Sequence, residues 1–234
     1  MEQEVKRKVQ IEIEENASEA LVSIVENDIV VRRRVLLSVL SRLMDSSMRI
    51  NETVQYQYIE PLPDICKGLM YSSRDTFRVA FDVPAAVRPF TFMNGSKEVL
   101  FEKIPFPRCA FVFDVVKGKV ENSFCCAVNK SDEQCRFPFP NVYESCNICW
   151  GGNRIGTIDS VTKAVSCVRL FFESGFNTHL YYKSENVCIP DDPSIEELLR
   201  RLQNKAEFPD EWLISINRPV TDFFNSHLER GEQL

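Results

Sequence analysis

Residues 137–152 read Phe137-Pro-Phe-Pro-Asn141-Val-Tyr-Glu-Ser-Cys146-Asn-Ile-Cys149-Trp-Gly151-Gly152 and contain two prolines, two cysteines and two glycines. Because proline lacks a backbone N–H and has a fixed φ, this stretch cannot continue a central β-strand and is predicted to be a loop. Loops that a rigid sheet holds in place often carry the residues that bind or react. The two cysteines of this loop are therefore the first candidates for chemistry.

The sequence before this loop has the pattern of antiparallel strands. Apolar and polar residues alternate from Val9 to Ile13 and again from Phe77 to Phe81. Asn94-Gly95 is a residue pair that tight hairpin turns favour. The predicted strands lie at 9–13, 21–25, 29–31, 77–81, 88–93, 98–101, 109–116 and 123–128. The strands from residue 77 onward are expected to form an antiparallel meander in the central third of the chain.

Helical periodicity is found at both ends of this strand-rich region. An apolar stripe from Leu36 to Met44 predicts a helix that begins near Arg33, and residues 64–70 are interpreted as a short helical turn. Beyond the loop, the apolar spacing predicts helices at 161–171, 195–202 and 219–228.

Two of the later helices carry capping residues. Asp159 or Ser160 would cap the first of them, and Ser194 opens a Ser-x-x-Glu capping box for the second. Since strands come first and helices last, we predict an α+β fold with the helices on one side of an antiparallel sheet.

Charge and cysteine content limit the function and the compartment. The 28 Lys and Arg against 34 Asp and Glu give a net charge of −6, which argues against a nucleic-acid partner. The first residues are charged, and the apolar runs fall far short of the ~20 residues that cross a bilayer, so we expect a cytoplasmic protein without a membrane partner. In a reducing compartment most of the nine cysteines should be free thiols.

The loop resembles the active-site segment of the ubiquitin-conjugating (UBC-like) family. That family carries a His-Pro-Asn motif, and its nucleophilic cysteine lies eight residues after the Asn in an Ile-Cys-Leu context. Here Phe139-Pro140-Asn141 corresponds to the triplet and Ile148-Cys149-Trp150 to the cysteine context, with 149 − 141 = 8. The chain is most similar to a prokaryotic branch, the protein B family of the ParB-related, ThiF-related cassette (PRTRC) of bacterial mobile elements. The residues that carry this closer resemblance lie in 110–116, 123–128, 138–142 and 149–151.

The resemblance implies a fold and a reaction. The fold is UBC-like, with a core of residues 51–234 and an N-terminal hairpin and helix, 1–50, added to it in one continuous domain. Cys149 would accept a ubiquitin-like carrier protein as a thioester and pass it to an acceptor amine. Asn141 would donate its amide to the oxyanion or hold the loop backbone, and the loop would be supported by Phe139, Pro140, Trp150 and Gly151.

Partners follow from the same resemblance. They are a ThiF-like activating enzyme and a ubiquitin-like carrier, with a metal-dependent isopeptidase from the same cassette as a further partner. No Gly-rich phosphate loop is present in the sequence, so nucleotide chemistry would belong to a partner, and we expect the chain to need no cofactor.

Several alternatives stay open at this point. Phe139 replaces the family's His, and no acidifying neighbour of Cys149 is evident, which favours a non-catalytic UBC-like scaffold. Cys146 stands where eukaryotic members often have Gly, and Cys146-x-x-Cys149 also fits a redox pair or half of a zinc site. His179 with Cys149 would make a cysteine hydrolase. The remaining zinc ligands would come from Cys125, Cys126 and Cys135.

Overall fold

A computed structural model describes residues 7–14, 17–26, 29–41 and 61–229. The chain divides into two compact units, Met1–Tyr58 and Ile59–Leu234. The predicted boundary at residue 50 lies outside the described residues and stays a prediction.

The first unit contains three antiparallel strands, β1 (Arg7–Ile13), β2 (Glu19–Glu26) and β3 (Ile29–Leu36), paired in that order. The strands predicted here are confirmed. The helix predicted from Arg33 is wrong for residues 33–36, which pair with β2 as far as Glu19↔Leu36. β3 pairs with β2 along its full length, so the backbone N–H and C=O groups of residues 33–36 can form hydrogen bonds with the neighbouring strand. This pairing outweighs the preference for a helix that the apolar stripe indicates. Residues 37–41 are helical, and 42–44 lie outside the described part.

The second unit is built on a six-stranded antiparallel sheet. The short helical turn predicted at residues 64–70 is wrong, because these residues lead into and form a strand that pairs with its neighbour from Cys66↔Phe81 to Ser73↔Thr76. In chain order the strands are β4 (Cys66–Ser73), β5 (Thr76–Val83), β8 (Arg108–Val116), β9 (Lys119–Val128), β10 (Glu133–Cys135) and β11 (Ser215–Pro219). Across the sheet they lie in the order β11-β10-β9-β8-β5-β4.

The remaining hairpin, β6 (Ala86–Asn94) and β7 (Lys97–Phe106), forms a separate two-stranded sheet. The prediction of one continuous meander is therefore wrong, because β5 pairs directly with β8. Pro84 and Pro107 flank the hairpin and supply no N–H for a continued ladder. The turn prediction is confirmed, since Gly95 joins the two strands with a φ of 61°.

Three helices complete the second unit: α1 (Val161–Glu173), α2 (Ile195–Leu202) and α3 (Val220–Leu228). Short 3₁₀ turns lie at Lys183–Glu185 and Asp210–Trp212. The predicted caps are confirmed, because Ser160 Oγ accepts the Lys163 N–H at 3.2 Å and Ser194 Oγ accepts the Glu197 N–H at 3.3 Å.

The helices cover both faces of the sheet, so the prediction of helices on one side is wrong. Phe111 and Phe113 of β8 point into the main core, which also holds α1 and α2. Ala110 and Val112 point to the opposite face, where α3 packs on them. Because β8 is apolar on both faces, each face needs a cover.

The architecture is mixed α+β and is compatible with a UBC-like fold. Its main core is rich in phenylalanine. We call the following residues the phenylalanine cluster, because their rings contact one another: Phe90, Phe106, Phe137, Phe139, Phe171, Phe172 and Phe176. Among the helices of the described residues, none has the length and apolar character needed to cross a membrane.

Candidate functional site around Cys149

The segment from Asn141 to Cys149, which we call the Cys149 loop, is closed by its own backbone. The Cys149 N–H donates to the Asn141 carbonyl at 2.8 Å, so the two residues eight positions apart lie at the two ends of the loop. Inside it, the Tyr143 N–H donates to Asn147 O and the Cys146 N–H donates to Tyr143 O, each at 2.9 Å. The spacing on which the family resemblance rests therefore corresponds to a hydrogen-bonded closure.

The Cys149 loop is attached to the edge of β9. β10 pairs only with Ala127 and Val128 of that strand, which leaves the earlier part of its edge open. The loop fills this edge, because the Ile148 N–H donates to Ser123 O at 2.9 Å and the Cys125 N–H donates to Cys146 O at 2.8 Å. Cys149 thus follows a segment that extends the sheet.

Trp150 and Gly151 follow Cys149 directly. The Trp150 indole N–H donates to Ser123 Oγ at 2.9 Å, and its ring packs edge-on against Phe171. Gly151 is exposed with a φ of 55°, a left-handed conformation that glycine adopts without strain. Trp150 therefore joins the end of the loop to both the sheet and the main core.

The chain enters the loop through buried Phe139 and Pro140. Phe139 is fully buried, with its ring centroid 4.9 Å from that of Phe106 and 5.2 Å from that of Phe90. Aromatic pairs at such distances stabilise beyond the area they bury. Aromatic packing thus fixes the position at which the UBC-like family carries His.

The side chain of Asn141 forms a hydrogen bond, and its backbone adopts an unusual conformation. Its φ is 69°, which Asn tolerates better than most residues with a Cβ. The side chain is 8% exposed, and its Nδ2 donates to the carbonyl of Gly175 at 3.1 Å. In this arrangement the Asn141 amide ties the loop to the segment after α1, and the role of Asn141 in the reaction stays a prediction.

A pair of substitutions separates the two contributions of Asn141 to stability. We expect Asn141→Gly to lower the free energy of unfolding by about 1 kcal/mol through loss of the amide hydrogen bond. Asn141→Ala should cost a further ~1–2 kcal/mol, because alanine is disfavoured at positive φ. Urea denaturation of both variants measures the difference, and equal losses would contradict a role for the backbone conformation.

Cys149 is partly exposed and is a free thiol. The Tyr143 hydroxyl donates to its Sγ at 3.7 Å. This hydrogen bond raises the pKa of Tyr143. The phenol of a tyrosine is protonated at neutral pH even at its usual pKa of ~10, so it can act as a donor. Glu144 is one of the two charged residues nearest to Cys149 in the sequence, and its carboxylate forms an ion pair with the guanidinium of Arg136, with an N–O distance of 2.7 Å.

Tyr143 was not identified from the sequence. Val142 bridges Ile148 across the loop, which places Tyr143 and Cys149 as diagonal neighbours, within reach for an aromatic side chain. The eight-residue separation of Asn141 and Cys149 was the available signal, because a loop closed between these two residues sets the register that brings Tyr143 next to Cys149.

Cys146 has different surroundings from Cys149. Its φ is 67°, the conformation that glycine would adopt most easily at this position. Gln134 Nε2 donates to its Sγ at 3.5 Å, and its side chain packs against the smaller apolar cluster on the α3 face of the sheet. No disulfide joins Cys146 to Cys149.

The alternatives based on metal or histidine find no supporting arrangement. Across the described part of the chain, no group of three or more His, Cys, Asp and Glu side chains is placed to hold a metal ion. His179 is exposed and its backbone N–H donates to Asn177 Oδ1. Within the described residues, no hydrogen bond joins His179 to Cys149.

Most of the other cysteines are core residues. Burial raises the pKa of Cys125 and Cys126 well above the usual value, and that of Cys135 and Cys167 to about 11. Thiols of this kind stay protonated and unreactive near neutral pH. Cys66 is half-buried, and Cys188 is an exposed thiol that the sequence did not single out.

The class of the protein follows from this arrangement together with one sequence match. A mixed α+β fold whose loop presents a partly exposed cysteine eight residues after an asparagine is compatible with a ubiquitin-conjugating-like, or E2-like, protein. The model of prokaryotic E2 family D matches residues 42–216, well over half of the chain. The chain therefore belongs to prokaryotic E2 family D, whose members are bacterial and ubiquitin-conjugating-like. No curated protein and no solved structure matched the chain.

Proposed function

We propose that the chain is a conjugating enzyme that carries a ubiquitin-like protein as a thioester on Cys149 and transfers it to an acceptor amine. Membership of an E2-like family supports a ubiquitin-conjugating-like role in general, and a ubiquitin-like transferase activity with it. A cysteine suits the specific reaction because its thiolate attacks well, while the thioester it forms still reacts with amines.

The observation that carries this proposal is the position of Cys149. It is a free, partly exposed thiol in a loop that two backbone hydrogen bonds fix to β9. A fixed backbone holds the thiol in one place while a carrier and an acceptor approach it, which lowers the entropic cost of reaction.

The proposed partners are a ThiF-like activating enzyme, which would consume ATP, and a small ubiquitin-like carrier. We further propose that the chain is a cytoplasmic protein B of a PRTRC cassette, on a mobile element or in a defence system. A ThiF-like gene and a gene for a metal-dependent isopeptidase beside its own would support this assignment, and a neighbourhood without a ThiF-like gene would contradict it.

The proposal predicts a reductant-sensitive adduct. The chain should gain the mass of the carrier when it is incubated with the activating enzyme, the carrier and ATP, and a thiol reductant should release the carrier. Mass spectrometry of the peptide Phe137–Arg154 should locate the modification on Cys149. An adduct on Cys146 or Cys188 would contradict the assignment, and omission of ATP is the control.

A second candidate function is that of a scaffold that binds the activating enzyme without forming a thioester. Two observations favour it: Phe139 stands where the family carries His, and the Asn141 amide is engaged by Gly175. A complex with the activating enzyme that forms without any adduct in the presence of ATP would support this function instead.

A further inference from the structure

We propose that the Tyr143 hydroxyl is a catalytic hydrogen-bond donor in thioester transfer, and that it stabilises the oxyanion which forms on the acyl group held by Cys149. This inference rests on the proposed function. It assigns to Tyr143 the task that the family resemblance gave to Asn141.

The geometry of the resting site is the first argument. The Tyr143 hydroxyl already donates to Cys149 Sγ at 3.7 Å. In a thioester, the carbonyl oxygen is two bonds away from that sulfur, and an acylated sulfur is a weaker acceptor than a thiol or thiolate. A small rotation of the tyrosine side chain therefore brings the hydroxyl from the sulfur to the carbonyl oxygen.

The second argument is the state of Asn141. Its amide is buried and donates to Gly175 O, and its left-handed backbone is fixed by the hydrogen bond from Cys149 N to Asn141 O. Redirecting this amide towards the sulfur would break a buried hydrogen bond. Tyr143 needs no such rearrangement, since 42% of it is exposed.

The third argument is that the backbone of Tyr143 is held while its side chain has room. Its N–H and its carbonyl both form hydrogen bonds inside the Cys149 loop. Tyr143 is 42% exposed, and it is one of the residues that line a cavity of about 350 Å³, together with Tyr182 and Arg218. A donor that is anchored at the backbone and faces open space can follow the reacting carbonyl.

The step that the hydroxyl would assist is aminolysis of the thioester. The amine nitrogen attacks the carbonyl carbon, a C–N bond forms, and a carbonyl electron pair moves onto oxygen, where Tyr143 donates its hydrogen bond. The electron pair on oxygen then reforms the C=O bond as the C–S bond breaks, and the electron pair of the C–S bond leaves on Sγ. The proton lost by the amine passes to the sulfur, directly or through water, and the hydroxyl returns to Sγ.

The test is the rate of discharge of the preformed thioester to a primary amine, for which free lysine is the probe. In Tyr143→Phe, the rate at saturating lysine should fall about 100-fold, the typical cost of one lost oxyanion donor. The lysine concentration that gives half of the maximal rate should stay unchanged, because the hydroxyl acts on the barrier and not on amine binding. The extent of loading at equilibrium should also stay unchanged.

Tyr182→Phe is the matched control, because Tyr182 is an exposed tyrosine that lines the same cavity. The thioester of this variant should discharge at the wild-type rate. Unchanged urea denaturation of Tyr143→Phe would exclude a structural cause. Discharge by Tyr143→Phe at the wild-type rate would overturn this inference alone. A wild-type chain that forms no thioester would overturn the proposed function as well, so the two failures are distinguishable.

Discussion

Cys149→Ala is expected to abolish the adduct with the ubiquitin-like carrier, and Cys149→Ser to replace it by an adduct that survives reductant. Alanine offers no nucleophile, whereas serine forms an oxygen ester that a thiol reductant does not cleave and that amines attack slowly. Electrophoresis with and without reductant, after incubation with the activating enzyme and ATP, distinguishes the three forms. We expect the serine adduct to accumulate slowly, because a hydroxyl is a weaker nucleophile than a thiolate.

Cys188→Ala is the control for this prediction. Cys188 is an exposed free thiol, so it is the competing site for adventitious modification. Its backbone N–H donates to Trp212 O, an interaction that alanine retains. Loss of the adduct in Cys188→Ala with retention in Cys149→Ala would reverse the assignment.

Phe139→Ala is expected to lower the free energy of unfolding by about 3–5 kcal/mol, the usual cost of truncating a buried aromatic residue. The ring is fully buried and lies within 6 Å, between centroids, of Phe90, Phe106, Phe137 and Phe208. Removing it leaves a void that rings from several different elements cannot easily fill. Urea denaturation followed by tryptophan fluorescence measures this loss.

Phe224→Ala provides a matched comparison for Phe139→Ala. It removes a ring of the same size from α3, where the residue is only partly buried beside the second face of the sheet. We expect it to cost clearly less than Phe139→Ala. Equal costs would show that Phe139 gains nothing from its position in the phenylalanine cluster.

The sequence predicted those parts of the fold that depend on local signals. Ser160, Ser194 and Gly95 each act within a few residues of their own position, and the helix caps and the hairpin turn they predict are present. The errors concern residues whose conformation depends on pairing or packing with other elements. Residues 33–36 and 66–70 are strands because partner strands are available, and the hairpin 86–106 leaves the sheet because its phenylalanines are buried in the main core.

In the candidate site, too, the local feature was predicted from the sequence and the contacts that depend on other segments were not. The eight-residue separation of Asn141 and Cys149 could be read directly, and it corresponds to a local loop closure. The partner of the Asn141 amide could not be read, because Gly175 lies 34 residues further along the chain. The contact of Tyr143 with Cys149 was not predicted either, because it depends on which residues of the loop lie opposite each other.

The attachment of the Cys149 loop to β9 through main-chain atoms bears on which side chains can change without moving Cys149. Hydrogen bonds between backbone groups form with almost any side chain, so natural selection can replace loop residues without displacing the cysteine. The eight-residue separation of Asn141 and Cys149 and the edge of β9 that receives the loop therefore constrain the position of the thiol more than the side chains between them do.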